Sequence, residues 1–401
     1  MLKKIELHWQ ILIALVLSIV FGLMFPDLTQ YVKWMGDLFL RALRMIIVPL
    51  IFSSIVTGVA GIGNAENLGR MGVKTFSYYI MTSLFAILTG LLLVNLIQPG
   101  VGADLGFQRE LEGIASPDTF AQTLMNIIPV NIIAAMAAGD MLAIIFFAIL
   151  FGFFTTRVHE TYSLPIRNFF SGVFEVMMKI TMFVIRFTPL GIFGIVAVIV
   201  AEHNITVFVS MGKYMLTVIL ALSIHAIFTL PMITRFIGRA NPVRHVKNMT
   251  VPLLTAFSTS SSSATLPLTL EAVEKKSGVS NKTTGFVLPL GATVNMDGTA
   301  LYECVAVIFI AQAYGMDMSI MQQIIIVITA LLASIGAAGI PMAGLVIITI
   351  ILSAVGLPLE GVGLILAVDR VLDMFRTTVN VWSDSCGAVV IAKSEGETLA
   401  V

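Results

Sequence analysis

Long apolar stretches recur along the chain, separated by short polar segments. About 20 apolar residues are enough to cross a bilayer as a helix. Five spans are predicted near residues 10–26, 38–62, 73–98, 170–201 and 207–238. The region 124–156 is also apolar, but Pro129 and Gly139-Asp140 interrupt it, so several short helices are predicted there. The pattern is that of a multi-pass helical membrane protein.

The first apolar run, Ile11–Phe25, follows Lys3 and Lys4 and resembles the core of a signal peptide. No small-residue cleavage pattern follows it and further spans come after it, so it is predicted to be the first membrane helix. Loop charges predict the orientation, because cytoplasmic loops are enriched in Lys and Arg. Basic clusters flank residues 251–270, whereas Gly102–Gln122 is mostly acidic and is predicted to lie outside. Both termini are therefore predicted to be cytoplasmic.

After residue 240, two segments repeat one pattern, with two apolar arms around a tip of small and polar residues. The first is Val251–Leu270 with the tip Thr259–Thr265, and the second is Ile324–Leu352 with the tip Ser334–Gly344. Each arm is too short to cross a bilayer, so each segment is predicted to be a re-entrant helical hairpin. Paired, interrupted segments point to a transporter's binding site. The alternative is two ordinary helices with Gly and Ser on their packing faces.

Composition agrees with a membrane protein. The chain of 401 residues is 58% hydrophobic and 11% charged, and its mean hydropathy is +0.98. A soluble domain carries roughly 25% charged residues. The formal charge is zero, which gives no indication of nucleic-acid binding. The two cysteines, Cys304 and Cys386, are too few to indicate a disulfide framework or a metal site.

The last apolar span, about residues 360–393, carries an unusual number of polar groups. An α-helix advances about 100° per residue, so five of these groups fall on one stripe roughly 80° wide. They are Asp369, Asp373, Arg376, Asn380 and Asp384. Ionisable groups at membrane depth are costly and usually functional. Arg370 lies off the stripe and is predicted to be an anchor.

The chemistry of this stripe suits a zwitterion that carries an additional carboxylate. Arg376 can bind a carboxylate through two parallel hydrogen bonds, and Asp373 can bind an ammonium. Asp384 and Asn380 offer hard oxygen ligands for a small cation. The alternative is a set of internal salt bridges that only hold the bundle together, although three acids against one base leave charge unmatched.

The preceding apolar segment is interrupted by Asn295-Met296-Asp297-Gly298-Thr299. Unwound backbone carbonyls and a carboxylate at such a break form a natural sodium site. Glu303 follows in the same segment, and a glutamate at membrane depth is a candidate proton carrier near neutral pH. The alternative for Glu303 is a permanent ion pair with Arg376.

Four motifs, in order and over nearly the whole chain, resemble the glutamate/aspartate transporter family (dicarboxylate/amino acid:cation symporters). They are Gly36-Asp37 through Arg44 to Pro49, Thr259–Thr265, Asn295–Thr299 and Asp369–Asp384. The resemblance implies an all-α integral membrane fold of eight transmembrane helices and two re-entrant helical hairpins with inverted repeats. It also implies a homotrimer in the cell membrane that works by an elevator mechanism.

The resemblance further implies that each protomer divides into a fixed scaffold and a moving transport domain. Residues 1–70 would hold scaffold helices 1 and 2, and residues 101–202 scaffold helices 4 and 5. Residues 71–100 would form helix 3 of the transport domain. Residues 203–401 would supply its remainder, namely helix 6, hairpin 1, helix 7, hairpin 2 and helix 8.

Residue by residue, the resemblance assigns substrate contacts and sodium ligands. Arg376 matches the ligand of the substrate's side-chain carboxylate, Asp373 the ligand of its amino group, and Thr299 a contact near that carboxylate. The further substrate contacts match Ser262, Ile340, Gly344, Thr377 and Asn380. The first sodium site would use Asp384 with the backbone of Gly291, Asn295 and Asn380. The second would use the backbone of Thr293, Met296, Ser334, Ile335 and Ala337. The third would use Tyr79, Thr82, Ser83, Asn295 and Asp297.

Within the resemblance, three positions narrow the type of carrier. Asp384 favours sodium, because proton-coupled relatives tend to carry Asn there. Asp373 favours an amino acid, because dicarboxylate carriers lack an acid at that position, and Arg376 favours an acidic side chain. The predicted function is sodium-coupled uptake of L-aspartate or L-glutamate. Glu303 matches a glutamate that animal carriers use for proton and potassium coupling, so proton co-transport and potassium counter-transport stay open.

Alternatives from other classes are a proton-coupled C4-dicarboxylate symporter of the same fold and an ion channel lined by the charged stripe. An enzyme is not predicted, because a serine nucleophile needs an activating base and no histidine lies in a polar motif. The chain also departs from the family pattern. Ser260 and Met374 stand where relatives carry a second arginine, Ala337 replaces a threonine, and Trp382-Ser383 is bulkier than the common pattern.

Overall fold

The computed structural model describes residues 7–62, 69–103, 125, 128–203, 206–336 and 343–401. Within these residues all regular secondary structure is helical, as predicted. The α-helices are α1 (Leu7–Met24), α2 (Lys33–Ile62), α3 (Gly69–Ile97), α4 (Ile132–Ala138), α5 (Met141–Thr155), α6 (Glu160–Ile185), α7 (Thr188–His203), α8 (Thr206–Ile224), α9 (Leu230–Phe236), α10 (Pro242–Asn248), α11 (Thr250–Thr259), α12 (Ser262–Glu271), α13 (Asn281–Val294), α14 (Asp297–Ala313), α15 (Ile320–Gly336), α16 (Ala343–Ala354) and α17 (Val362–Ser394). The shorter turns are 3-10 at Pro26–Tyr31 and Leu359–Gly361, and π at His225–Thr229 and Ala272–Lys276.

Several of these helices are long and apolar enough to cross a membrane, which confirms the prediction of a multi-pass membrane protein. The long spans in the described residues are Lys33–Ala60, Arg70–Ile97, Glu160–Ile185, Val209–Phe236 and Asn281–Ala313. Shorter apolar helices are Trp9–Met24, Ala143–Thr155, Thr188–Ala201 and Ile320–Ser334. The count of eight transmembrane helices stays a prediction.

One predicted span is wrong, because residues 170–201 do not form a single helix. The structure has α6, which begins earlier at Glu160 and ends at Ile185, and a separate α7 that begins at Thr188. Pro189 explains the break, since proline has no N–H to continue the hydrogen bonding of α6. The interruption is too short to lower the hydropathy of the whole stretch.

The region 124–156 is divided as predicted in the part that the structure describes. Gly139 ends α4 with a left-handed backbone (φ 74°), which glycine adopts without strain. Asp140 then caps α5 by accepting a hydrogen bond from the Ala143 N–H at 3.4 Å. The turn residue Gly139 and the cap residue Asp140 therefore determine the boundary between α4 and α5.

Each predicted hairpin is a pair of helices that pack against each other. In the first, α11 and α12 are joined at Ser260, which has a left-handed backbone (φ 51°), and Ser261 caps α12. The α-helical part of each arm has 10 residues, and α12 continues directly into the π turn Ala272–Lys276. At about 1.5 Å per residue neither arm is long enough for a bilayer core. In the second hairpin, α15 and α16 flank residues 337–342, which lie outside the described residues. The first segment is therefore a helical hairpin, and the re-entrant position of both hairpins stays a prediction.

The helices fall into two packed groups. In one, α1 packs against α7, and α2 packs against α5, α6 and α7. In the other, α8, α11, α13 and α14 surround α17, and α3 runs along α14. The second hairpin contacts both α14 and α2, so it lies between the groups. The span formed by α13 and α14 is wholly buried along its most apolar window.

Ion pairs fix the end of α17 to the beginning of α3. The Glu395 carboxylate accepts hydrogen bonds from Arg70 at 2.7 Å and from Lys74 at 2.6 Å. These hydrogen bonds, the one from Arg70 first, lower the pKa of Glu395 to about 2. Glu395 therefore stays ionised and paired at any physiological pH.

Close contact between α2 and α7 depends on glycines, and it can be tested. A Cβ atom on Gly194 would lie 2.6 Å from the Gly36 backbone nitrogen, whereas one on Gly172 of α6 would meet nothing within 4 Å. We expect Gly194→Ala to destabilise the protein by about 1–3 kcal/mol, because the two helices have to separate. Gly172→Ala is the matched control and should be neutral or slightly stabilising. Thermal unfolding in detergent measures both, and equal stability of the two variants would contradict the tight contact.

Candidate functional site

A fully buried arginine lies at the centre of the polar stripe on α17. The Arg376 Nη2 donates to Asp373 Oδ1 at 2.8 Å, and Nη1 lies 3.1 Å from Asp369 Oδ1. Its guanidinium carbon sits 4.0 Å from the centre of the Tyr302 ring, a cation–π contact from α14. The Arg376 Nε has no hydrogen-bond partner among the described residues. The arginine is therefore held in place and keeps donor capacity.

The two carboxylates beside Arg376 differ in environment. Asp369 is buried, and the Tyr302 hydroxyl donates to its Oδ1 at 2.7 Å. The Asp373 side chain is 23% exposed. Arg370 is 42% exposed and only approaches Asp373, at 3.9 Å, which agrees with its predicted place off the stripe. Sequence reasoning placed Asp369 on the stripe but did not identify it as the buried partner of Arg376.

The second hairpin approaches the same arginine at a glycine. A Cβ atom on Gly344 would overlap the Arg376 Nη1 and would lie 3.1 Å from the Tyr302 ring. Only glycine leaves room for the guanidinium at this position. The backbone at Gly344 is thus next to Arg376, while Ile340 lies outside the described residues.

The first hairpin also reaches α17 near the arginine. The Phe257 ring packs edge-on against the Phe375 ring, with 5.2 Å between their centres. Ser262 is half-buried at the beginning of α12, and Thr377 is buried on α17. The two hairpins and the stripe therefore converge on one part of the molecule.

Asn380 joins α17 to the beginning of α14. Its Oδ1 accepts from the Gly298 N–H at 2.7 Å, and its Nδ2 donates to Thr299 Oγ1 at 3.1 Å. A Cβ atom on Gly298 would lie 2.6 Å from the Arg376 carbonyl oxygen. The glycine after the helix break thus allows α14 and α17 to touch beside the arginine.

Asp384 forms a second polar cluster, one turn further along α17. The Asn295 Nδ2 donates to Asp384 Oδ1 at 2.9 Å, while the Asn295 Oδ1 is buried without a hydrogen-bond partner among the described residues. A Cβ atom on Gly291 would lie 2.5 Å from Asp384 Oδ1 and 2.6 Å from the Tyr79 hydroxyl. Unpaired oxygen at a helix break suits a small hard cation.

Asp297 forms a third cluster with α3, which brings it next to Thr82 and Ser83 of the third sodium site that the resemblance implies. Thr82 Oγ1 lies 3.2 Å and Ser83 Oγ 2.6 Å from Asp297 Oδ1. Tyr79 is placed differently: its hydroxyl donates to the Val287 carbonyl at 2.7 Å and lies near Asp384 instead. Two further contacts to Asp297 were not predicted, His225 Nε2 at 3.1 Å and Ser383 Oγ at 2.6 Å from Oδ2.

The remaining predicted ligands are backbone groups near the C-terminal ends of α13 and α15, two helices that are in contact. The Thr293 side chain is exposed, and the Ser334 hydroxyl donates to the Leu331 carbonyl at 2.9 Å. These two side chains therefore do not form a common ion site. α13 ends beyond Thr293 and α15 ends beyond Ser334, and the two helices are in contact. The C-terminal carbonyls of helices attract cations. Met296 is buried at the break, the side chain of Ile335 is not described, and Ala337 lies outside the described residues.

Glu303 is fully buried on α14, and neither carboxylate oxygen has a hydrogen-bond partner among the described residues. The arginine that could pair with it is bound to Asp369 and Asp373 instead. The structure therefore does not show a Glu303–Arg376 ion pair. Among the described residues, the Glu303 carboxyl is therefore buried without a hydrogen-bond partner.

His225 and Ser383 could not be identified from sequence, because their common partner lies far away along the chain. His225 is surrounded by apolar neighbours, and Asp297 follows 72 residues later. Ser383 lies 86 residues after Asp297 and one position off the predicted stripe. Only the packing of α14, α17 and the π turn after α8 brings the three together.

Comparison with known proteins places these features in a family. The model of the sodium:dicarboxylate symporter family matches residues 7–394. A proton/glutamate-aspartate symporter of Escherichia coli is 37% identical over 98% of this chain and 93% of its own length. A proton/sodium-glutamate symport protein of Bacillus caldotenax is 36% identical over 99% of this chain and 96% of its own. Excitatory amino acid transporter 3 of Oryctolagus cuniculus is 36% identical over 96% and 85%. With a match over nearly its whole length and relatives this similar, the chain belongs to the sodium:dicarboxylate symporter family.

Proposed function

We propose that this chain is a secondary active symporter that takes up L-aspartate and L-glutamate together with sodium ions. The observation that carries the proposal is Arg376, a buried guanidinium that is neutralised by Asp369 and still has a free Nε donor. The names of the relatives support acidic amino acids as the substrate class. The substrate's side-chain carboxylate would bind Arg376, and its ammonium would bind the partly exposed Asp373.

The further substrate contacts surround this pair. Thr299 and Asn380 lie on the α14 side, and Thr377 lies on α17 next to Arg376. The hairpin tips, with Ser262, Ile340 and Gly344, would close over the amino acid from two sides. Support for closure by the second tip comes from Gly344, whose lack of a side chain leaves room for Arg376.

The charge of the site explains why cations have to enter with the substrate. Three buried aspartates (Asp297, Asp369 and Asp384) and the half-buried Asp373 share this part of the molecule with one buried arginine, Arg376. An acidic amino acid adds further negative charge, and unpaired charge in a low-dielectric interior is strongly unfavourable. Sodium ions at Asp384 with Asn295 and Gly291, and at Asp297 with Thr82 and Ser83, would offset it.

A further sodium ion would bind backbone carbonyls where α13 and α15 end. This is the site expected from Thr293, Met296, Ser334, Ile335 and Ala337. Its support is the contact between the two helices and the negative end of each helix dipole. Such a site needs no carboxylate of its own.

We also propose the elevator division of the protomer, with residues 1–70 and 101–202 as scaffold and residues 71–100 and 203–401 as the moving part. The two packed groups of helices support this division. The assembly would be a homotrimer in the cell membrane. Both termini would lie in the cytoplasm, an orientation that the basic residues flanking the first hairpin support.

The first of three predictions from this proposal concerns the coupling ion. Uptake of labelled L-aspartate and L-glutamate into proteoliposomes is expected to require an inward sodium gradient. Asp384→Asn should raise the half-saturating sodium concentration at least about tenfold, because a charged ligand is lost. Asp27→Asn, at an exposed aspartate, is the matched control. Uptake driven by protons alone would contradict sodium coupling, and transport of succinate in place of both amino acids would favour the C4-dicarboxylate alternative.

The second prediction concerns Glu303, which we propose carries a proton with the substrate. Glu303→Gln keeps the shape of the side chain and removes its ability to exchange a proton. It is expected to abolish proton entry during uptake, measured with a pH-sensitive dye inside the vesicles, and to abolish any stimulation by internal potassium. Glu271→Gln, at an exposed glutamate, should behave as wild type. Unchanged proton entry in Glu303→Gln would assign the proton to another group.

The third prediction concerns the contact between α14 and α17. Gly298→Ala places a methyl group 2.6 Å from the Arg376 carbonyl oxygen, so the helices have to separate and the Asn380 hydrogen bond is lost. Uptake is expected to fall at least about tenfold, mainly through weaker substrate binding, since displacements of about 1 Å are costly at such sites. Gly285→Ala in α13 meets nothing within 4 Å and is the matched control. Equal uptake by the two variants would show that this close contact is unimportant.

A further inference from the structure

The Asp297 carboxylate is held on both sides, and each oxygen faces different helices. Oδ1 accepts from Thr82 and Ser83 of α3, whereas Oδ2 is within hydrogen-bond distance of His225 Nε2 (3.1 Å) and Ser383 Oγ (2.6 Å). All five side chains are buried. The two oxygens are therefore not equivalent, and neither donor on Oδ2 is among the predicted ligands.

The π turn at His225–Thr229 fixes the position of the histidine. In this turn the Leu230 N–H bonds to the His225 carbonyl, as expected for a π-helix. The next carbonyl, that of Ala226, would then need the N–H of residue 231, which is Pro231 and has none. The Trp382 indole N–H donates to the Ala226 carbonyl at 3.1 Å instead.

This tryptophan couples the two donors to each other. Trp382 precedes Ser383 on α17, so its hydrogen bond to Ala226 fixes the π turn against the same turn of α17 that carries the serine. His225 and Ser383 are therefore positioned together. A displacement of either helix would move both donors relative to Asp297.

The contact with Asp297 determines which ring nitrogen of His225 carries a proton. A carboxylate oxygen accepts hydrogen bonds, so His225 presents Nε2–H to Asp297. Its Nδ1 is buried without a hydrogen-bond partner among the described residues. Leaving a buried nitrogen unsatisfied costs stability, which a residue retained only for packing would not require.

We propose that His225 and Ser383 are positioning residues that hold Oδ2 of Asp297, leave Oδ1 as the oxygen that faces the co-transported sodium ion, and so set the affinity for that ion. The inference rests on the proposed sodium symport. Two donors on Oδ2 restrict rotation of the carboxylate, and Oδ1 is left beside the Thr82 and Ser83 hydroxyls. Without these donors Asp297 is free to turn away from α3, and the oxygens around the ion are no longer arranged in advance.

The test is a sodium titration of L-aspartate uptake in proteoliposomes at saturating substrate. His225→Ala and Ser383→Ala are each expected to raise the half-saturating sodium concentration about tenfold, since each removes a hydrogen bond to a charged group. The maximal rate and the half-saturating aspartate concentration at saturating sodium should change little. His225→Gln keeps an N–H donor and should restore sodium affinity to within about threefold of wild type.

Two matched controls separate positioning from packing. Thr75 is equally buried but donates to the Met71 carbonyl at 2.8 Å, and Ser385 is equally buried but donates to the Trp382 carbonyl at 2.8 Å. Thr75→Ala and Ser385→Ala should keep the sodium dependence of wild type. A general effect of cavities in this region would shift all four variants alike and would overturn the proposal.

A second readout does not depend on transport. Thermal unfolding of the purified protein in detergent, without amino acid, is followed as sodium chloride replaces choline chloride, because an ion that binds only the folded state raises its stability. His225→Ala and Ser383→Ala should need about tenfold more sodium for the same stabilisation. If His225→Ala does not fold, Ser383→Ala and His225→Gln carry the test.

The outcomes distinguish this inference from the function on which it rests. A sodium-dependent wild type whose His225 and Ser383 variants keep wild-type sodium affinity overturns only the positioning role. A wild-type protein whose uptake and thermal stability do not depend on the sodium concentration overturns the proposed coupling and this inference together. A selective loss of sodium affinity in the two alanine variants, reversed in His225→Gln, supports both.

Discussion

The charge of Arg376, buried among apolar helices, is the constraint on which the rest of this site depends. A guanidinium without water needs carboxylates and aromatic faces around it, and Asp369, Asp373 and the Tyr302 ring supply them. Because Tyr302 belongs to α14, the cation can be satisfied only if α14 lies directly against α17. Gly298 permits that contact at the level of the arginine backbone. The electrostatics of one residue thus dictate where small residues have to stand on the neighbouring helices.

The same logic extends from the arginine to the polar clusters around Asp384 and Asp297. A continuous helix uses all its backbone carbonyls internally, so oxygen ligands at depth require a break, and Asn295-Met296 provides it between α13 and α14. Each carboxylate then binds to a different neighbour, Asp384 to Asn295, and Asp297 to α3, α17 and the π turn after α8. Substrate contacts and cation contacts consequently share α14 and α17, which gives a physical route for one ligand to influence the other.

Sequence reasoning predicted the parts of this arrangement that are encoded locally. Hydropathy predicted the spans, and the turn residues predicted the first hairpin. The helical period placed Arg376, Asn380 and Asp384 on one face, where the structure has them in contact with α14 and with the break that precedes it. It did not predict the break between α6 and α7, because a short interruption hardly changes the hydropathy of a long stretch. Nor could it identify His225 and Ser383 as partners of Asp297, since the contact depends on an extra residue in a helical turn.

The short arms of the first hairpin have a consequence for how the chain enters the membrane during synthesis. A helix of 10 residues cannot be released into lipid alone, because its ends would leave backbone groups without partners in hydrocarbon. The last helix is disfavoured for another reason, since each central charge costs about 2.5–3.5 kcal/mol on insertion scales. The last helix becomes stable only against partners such as α3, α8 and α14, and the hairpin only against α13 and α17. Insertion of the C-terminal half is therefore expected to be a cooperative event, in which the translocation machinery or the already inserted helices shelter α11 and α12 until α17 has been synthesised.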